Sequence, residues 1–211
     1  MKVGILGSGI VAQTLAGGFL KNGHDVMVGT NNSSKLKEFQ DKNPKSKIGT
    51  FAEAAAFGNT IVVALKGTAA EEIIKSVAKD LDGKTVIDTT NPIENTPPVN
   101  GVIQYFTKMN ESLMERLQKI APQANFVKCF NSVGSTFMVN PQFPGGKPTM
   151  FICGNSDAAR KEVVGILDVF GWETYDLGKA EAAGSIESLC ILWCIPGMIA
   201  GDWTHAFKML K

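Results

Sequence analysis

The chain has almost no net charge. Its 211 residues hold 21 lysines and arginines against 20 aspartates and glutamates, a formal +1. No basic excess argues for a nucleic-acid partner, and no Lys/Arg-rich amphipathic stretch argues for a membrane surface. Histidine is scarce, with only His24 and His205. Four cysteines, Cys129, Cys153, Cys190 and Cys194, lie in apolar stretches and not in a loop-rich disulfide framework. Each reads as a buried, reduced thiol, and the protein as cytoplasmic. Cys190 and Cys194 would share a helix face, but with so few histidines they are expected as core thiols, and no metal site is expected. No unbroken apolar run reaches the ~18–20 residues that span a bilayer. Met1–Leu20 starts as a leader peptide does. Gly7, Ser8, Gly9, Gln13 and Thr14 in its apolar part, and the lack of a clean small-x-small cleavage site, argue for a folded element instead. No internal repeat appears. What is present, 44% hydrophobic and 19% charged residues, is the composition of a globular protein.

The chain does have a glycine turn in a telling place. Gly7-Ser8-Gly9-Ile10-Val11-Ala12 follows the apolar run Val3-Gly4-Ile5-Leu6 and opens a helical pattern through Val11, Leu15, Gly18 and Phe19. That pattern stops at Asn22-Gly23, and a second apolar run, Val26-Met27-Val28, follows. Strand, turn, helix and strand in this order make G-x-G-x-x-A a dinucleotide-binding signal. The first glycine permits the turn, the second lets a pyrophosphate approach the backbone, and Ala12 lets helix pack on strand. The phosphates would rest on Gly7, Ser8, Gly9, Ile10 and Val11 at the helix N-terminus.

The end of the second strand distinguishes the cofactors. An NAD site places a carboxylate there for the ribose 2′-hydroxyl. Here the segment is Gly29-Thr30-Asn31-Asn32-Ser33-Ser34-Lys35, with hydroxyls, amides and one ammonium. Donors and a cation suit a 2′-phosphate, which a carboxylate would repel. Thr30, Asn31, Ser33 and Lys35 are therefore candidate ligands, and NADP(H) is expected over NAD(H). The same segment is also a loop with Ser33 or Ser34 capping the next helix.

Strand and helix patterns alternate along the rest. Helices are predicted over Ser34–Asp41, Phe51–Ala56, Ala69–Leu81, Ser112–Ile120 and Asp157–Phe170, and strands over Thr60–Leu65, Thr85–Asp88, Asn125–Phe130, Thr149–Cys153 and Glu173–Asp176. Asn91–Gly101, with three prolines, is predicted as a loop. From Ala180 the pattern is helical to the end, broken at Pro196-Gly197. This implies an α/β fold: a Rossmann-type, doubly wound, mostly parallel sheet with a short C-terminal helical segment, some late strands being free to run antiparallel. Residues 1–178 are assigned to the nucleotide-binding domain. Residues 179–211 are assigned to the helical segment, packed on that domain or in a dimer interface. Ligands of such sheets bind outside the strands' carboxyl ends. That places Ala64-Leu65-Lys66-Gly67, Thr89-Thr90-Asn91-Pro92 and Asn131-Ser132-Val133-Gly134 along one crevice with the glycine turn and Thr30-Asn31, and adds Ala64, Leu65, Lys66, Asn91, Pro92 and Asn131 to the candidate cofactor ligands. Asn91-Pro92 also reads as a turn, and Asn131 as a cap.

Taken together, the motifs resemble the family of NADPH-dependent oxidoreductases typified by coenzyme F420-dependent NADP reductase, with the NADPH domains of STEAP metalloreductases in the same group. The matching stretches are Gly7–Ala12, Val28-Gly29-Thr30 with Lys35 downstream, Leu81–Asp88 leading to Asn91-Pro92, Val127–Asn131, Phe151–Gly154 and Ala182–Glu187. They extend over essentially the whole chain. The family's usual Ser-Arg after the second-strand glycine is Thr30-Asn31 here. Thr30 replaces the hydroxyl, whereas Asn31 lacks the arginine's charge and fork. The resemblance implies hydride transfer between NADP(H) and a flavin-type acceptor, F420, FMN or FAD, by ring stacking and with no side-chain general acid. Acceptor-side candidates on this basis are Asn131, Ser132, Val133 and Pro196-Gly197. Two other readings compete: an NADP-dependent reductase of a small carbonyl or imine, and a non-catalytic NADP-sensing module. Leu189–Ile199 is hydrophobic nearly all round, so it is expected to be buried in the protein's own core or in a dimer, and a homodimer is expected because two-fold dimers are the commonest oligomers.

Overall fold

The glycine turn separates β1 (Lys2–Leu6) from α1 (Ile10–Lys21), and Gly23, at φ 78°, turns the chain back into β2 (Asp25–Gly29). The computed structural model describes residues 1–210. The order continues with a 3-10 turn (Ser33–Leu36), α2 (Lys37–Lys42), β3 (Lys47–Gly49), α3 (Phe51–Phe57), β4 (Thr60–Val63), α4 (Gly67–Val77), a 3-10 turn (Ala78–Leu81) and β5 (Thr85–Asp88). After a long strap come α5 (Leu113–Ile120), β6 (Asn125–Lys128), β7 (Thr149–Ile152), α6 (Asp157–Val169), β8 (Glu173–Asp176) and α7 (Ala183–Ala200). Six strands form one sheet in the order β3-β2-β1-β4-β5-β6, every pair parallel. Ile5 pairs with Val28 on one side and Val62 on the other.

Parallel strands need crossover helices, and these cover both faces. One layer packs Leu15, Phe19, Val163, Leu167 and Phe170 against Val3, Ile5 and Val62. The other packs Ala54, Ile74, Leu113 and Leu117 against Leu6, Ile61 and Val86. This is the doubly wound α/β fold expected from the alternation. The order reverses beside β1, where β1 and β4 are adjacent and their outgoing loops diverge, so a crevice opens at their carboxyl ends.

The structure corrects several boundaries. β3 was not expected, since three residues with an exposed lysine make no apolar run. β4 ends at Val63, which frees Ala64 and Leu65 for the crevice. α4 starts earlier, at Gly67, and ends at Val77. β6 ends at Lys128 because Phe130, at φ 62°, turns the chain out of the sheet. The late strands β7 and β8 form their own parallel pair. The antiparallel link is a single bridge, Lys128 N donating to Cys153 O at 2.9 Å.

The largest correction concerns the C-terminus. α7 runs through Pro196 and Gly197 and stops at Gly201, whose φ is 70°. Pro196 costs one helical bond, yet the helix continues through it to Ala200. Residues 202–210 are not helical. They run beside β7, with Thr149 N donating to Phe207 O at 2.9 Å. The helix over Ala180–Ala200 is long and apolar enough to cross a membrane by length and composition. Its Glu187, however, is buried against the protein's own sheet. All four cysteines are free thiols; Cys194 is half-buried where full burial was expected.

Candidate functional site

The crevice is a cleft of about 660 Å³ built from the carboxyl ends of β1, β4 and β5. Its floor is the glycine turn. Gly7, at φ 134°, gives its N–H to Gly29 O at 3.0 Å, and a Cβ there would lie 2.1 Å from Ala64 O. Only glycine lets these two loops close on each other. Gly9 differs: nothing lies within 4 Å of where its Cβ would be. That open face is where a diphosphate could meet the backbone. Gly9 caps α1 with no side-chain hydrogen bond, and the first turn holds no acidic residue. The N–H groups and positive dipole end of α1 are therefore left for an anion.

At the second-strand end the expected ligands separate. Lys35 is exposed and lines the cleft. Thr30 is buried and does not line it; its hydroxyl donates to Ser8 Oγ at 3.0 Å and accepts from Asn32 N at 3.0 Å. Thr30 thus ties this loop to the glycine turn. The cap of the 3-10 turn is Asn32, not Ser33 or Ser34: its Oδ1 accepts from Ser34 N at 3.1 Å. Asn31 and Ser33 are exposed and off the cleft. Gln13 donates to Ser8 O at 3.0 Å and holds the turn from α1.

Gly7, Ser8, Gly9, Ile10, Val11, Ala64, Leu65, Lys66 and Asn91 all line the cleft. Pro92 and Asn131 are buried behind it. Asn131 Nδ2 donates to Asn91 Oδ1 at 3.1 Å and to Ile186 O at 2.9 Å, and its own Oδ1 is buried without a partner among the described residues. Ser132, Val133 and the Pro196-Gly197 segment do not line the cleft either. Gly67, Thr89 and Thr90, placed at the crevice by the strand-end rule, line it as well, whereas the sequence reading missed Phe51, Thr68, Ile93, Glu94 and Asn95, which also do. Phe51 and Ile93–Asn95 arrive by tertiary folding of a helix start and a loop.

Behind the inner wall lies a buried charge network. Lys128 Nζ is 2.7 Å from Asp88 Oδ2, 2.8 Å from Glu187 Oε1 and 2.8 Å from Thr90 O. The two carboxylates meet the ammonium as ion pairs, and the Thr90 carbonyl accepts a hydrogen bond from it. Burial by itself would pull the Lys128 pKa down, but the Asp88 and Glu187 carboxylates outweigh it and hold the ammonium above its ordinary value. No histidine, cysteine or tyrosine lines the cleft among the described residues. His24 sits 3.2 Å from the N-terminal amine, and His205 stacks on Trp193 at 5.1 Å. Among the described residues, the one carboxylate in the lining, Glu94, comes from the loop after β5.

These residues fit a dinucleotide: an open glycine, an uncapped helix N-terminus and two lysines, Lys35 and Lys66, in one cleft. Comparison with known proteins agrees. Residues 2–92 match the family described as NADP oxidoreductase, coenzyme F420-dependent. A solved structure from Arthrobacter sp. FB24, ascribed to an F420-dependent NADP reductase, superposes with a TM-score of 0.94 at 28% identity and covers 100% of both chains. The chain is 27% identical to metalloreductase STEAP3 of Rattus norvegicus, over 94% of its own length and 39% of that relative's. A reductive aminase from Aspergillus terreus, solved with NADPH, shares the fold, with a TM-score of 0.65 at 20% identity over 95% of this chain and 62% of that one. The family resemblance drawn from the motifs is borne out, as is the Rossmann-type fold.

Proposed function

We propose that this relative of the coenzyme F420-dependent NADP oxidoreductases is an NADP(H)-dependent oxidoreductase whose electron acceptor is a flavin-type ring, F420, FMN or FAD. The observation that carries the reading is the cleft itself: Gly9 open beneath an uncapped α1, with Lys35 at the adenosine end and no carboxylate beside it. When bound, NADP(H) would supply or take up a hydride. The chain's own residues bind and orient. The α1 N–H groups hold the diphosphate, Lys35 takes the 2′-phosphate, and Thr89, Thr90 and Asn91 wall the inner end. Among the described residues no histidine, cysteine or tyrosine lines the cleft, and rate is assigned to holding two rings at near-attack distance, with Lys35, Lys66 and Glu94 as the ionisable side chains of the lining. The protein is further proposed to work in the cytoplasm as a homodimer, with no membrane or nucleic-acid partner. Leu192, Met198 and Ile199 leave an apolar face of the C-terminal helix exposed for such an interface.

A turnover screen tests the proposal. NADPH and NADH are offered with F420, FMN, FAD, quinones, small carbonyls and cyclic imines, and stereospecifically deuterated NADPH traces the hydride. Turnover of a flavin-type acceptor with NADPH preferred, and the label passed on, is the expected result. Turnover of imines or carbonyls alone would replace the acceptor assignment. Tight NADPH binding with no turnover would make the protein a sensing module.

A further inference from the structure

We infer that α7, which does not line the cleft, sets the geometry of its inner wall, and that Glu187 is a positioning residue for the nicotinamide end of the dinucleotide. The inference rests on the NADP(H) reading above. Two adjacent residues of α7 each start a chain of bonds that ends at the wall. Glu187 Oε1 holds Lys128 Nζ, which holds Thr90 O at 2.8 Å and Asp88 Oδ2 at 2.7 Å. Asp88 Oδ1 in turn accepts from Thr90 N at 2.9 Å and from Thr90 Oγ1 at 2.7 Å. Thr90 is therefore gripped at its N–H, carbonyl and hydroxyl by one ion network. The second chain starts at Ile186 O, which accepts from Asn131 Nδ2 at 2.9 Å. Asn131 Nδ2 also donates to Asn91 Oδ1 at 3.1 Å, and Asn91 Nδ2 donates back to the Asn131 backbone carbonyl at 2.8 Å. Tyr105 closes the pattern, its hydroxyl donating to Glu187 O at 2.7 Å and lying 3.4 Å from Asn91 Oδ1.

Every charged member is excluded from water: Lys128 and Asp88 are 0% exposed and Glu187 is 1% exposed. The second carboxylate is balanced at the start of α5, where Leu113 N and Met114 N donate to Glu187 at 3.0 and 3.1 Å. A well-packed apolar cluster would stabilise the fold as well as such a buried ion group. What the ion group adds is registry, because each bond has one geometry in a dry interior. Thr90 and Asn91 line the cleft, so a shift of α7 displaces the surface against which the nicotinamide would lie. Coupling is reciprocal, so filling the cleft's inner end must also steady α7.

The test uses the full chain and two ligands, NADPH and its fragment lacking nicotinamide, 2′-phospho-ADP-ribose. Calorimetry on Glu187→Gln should show NADPH affinity falling about tenfold or more, the scale of one lost charge-assisted bond, while the fragment binds within about twofold of wild type. Tyr105→Phe, which leaves the ion network intact, should show the same partition at smaller size. In the wild type, NADPH and not the fragment should slow amide exchange across residues 183–190. Equal losses for both ligands, or exchange in α7 untouched by NADPH, would overturn the inference. A wild-type protein that binds neither ligand would instead overturn the NADP(H) reading, so the two failures are distinct.

Discussion

The two ends of the cleft are built by different means. The glycine-turn end, where the phosphates are proposed to lie, is a continuous segment, Gly7 to Val11, whose backbone faces the cleft. The inner end is assembled from β5, β6, the strap at Tyr105 and α7, and its geometry depends on side chains brought together from across the chain. At the first end, glycine's lack of a side chain is what matters. At the second, it is a set of buried partners each of which needs the others.

Five substitutions and one pH series can break or sharpen this contrast. The largest effect is expected from Lys128→Met, which strands Asp88 and Glu187 in a dry interior and should cost about 3–5 kcal/mol of stability. Urea denaturation measures it, and an unchanged midpoint would show that the inner end does not depend on its ion network. Next comes the glycine pair. Gly7→Ala meets both a φ of 134° and the Ala64 carbonyl, so a loss of about 2–3 kcal/mol is expected. Gly9→Val has open space and should stay within about 1 kcal/mol of wild type, yet lose NADPH binding. Micromolar NADPH binding by folded Gly9→Val would mean that the phosphates lie elsewhere.

Smaller effects follow. Lys35→Ala should weaken NADPH by about 1.5–3 kcal/mol and NADH much less, as expected for a charge-assisted contact to the 2′-phosphate. Equal losses for the two dinucleotides would remove Lys35 from that role. His205→Ala should leave turnover near wild type, since the ring packs on Trp193 away from the cleft. A hundredfold loss with folding and NADPH affinity intact would return a side-chain acid to the mechanism. The smallest effect is at the surface. Arg116's hydrogen bonds, with the Lys108 backbone, hold the exposed Glu111 carboxyl down to about 2. In the unfolded chain Glu111 protonates at a higher pH, so its contribution is present at neutral pH and is lost as pH falls towards about 2. Stabilities of wild type and Arg116→Gln should differ slightly at pH 7 and converge in acid. A gap that widens in acid would contradict this sign.

Much of the phosphate end was legible before the structure. The positive φ of Gly7, the small residue at Ala12 and the position of Lys35 all follow from local spacing. Thr30 and Asn131 were recognised as site residues, but the structure puts their side chains behind the lining, where they hold Ser8 and Asn91 in place. Proximity to a strand end cannot tell lining from support, because both satisfy the same rule. Ile93, Glu94 and Asn95 escaped notice since a proline-rich loop has no periodicity from which a direction could be read.

The sequence by itself determined the alternation of strand and helix, the glycine turn and the absence of a carboxylate in the loop from Thr30 to Lys35, because each depends on residues a few places apart. Only the tertiary structure decided that α7 would pass through Pro196 unbroken, that Lys128 would meet Asp88 and Glu187, and that α7 would be tied to the cleft's inner wall. A buried charge acquires its meaning from its partners, and these partners lie on separate elements that come together only when the sheet and its helices pack.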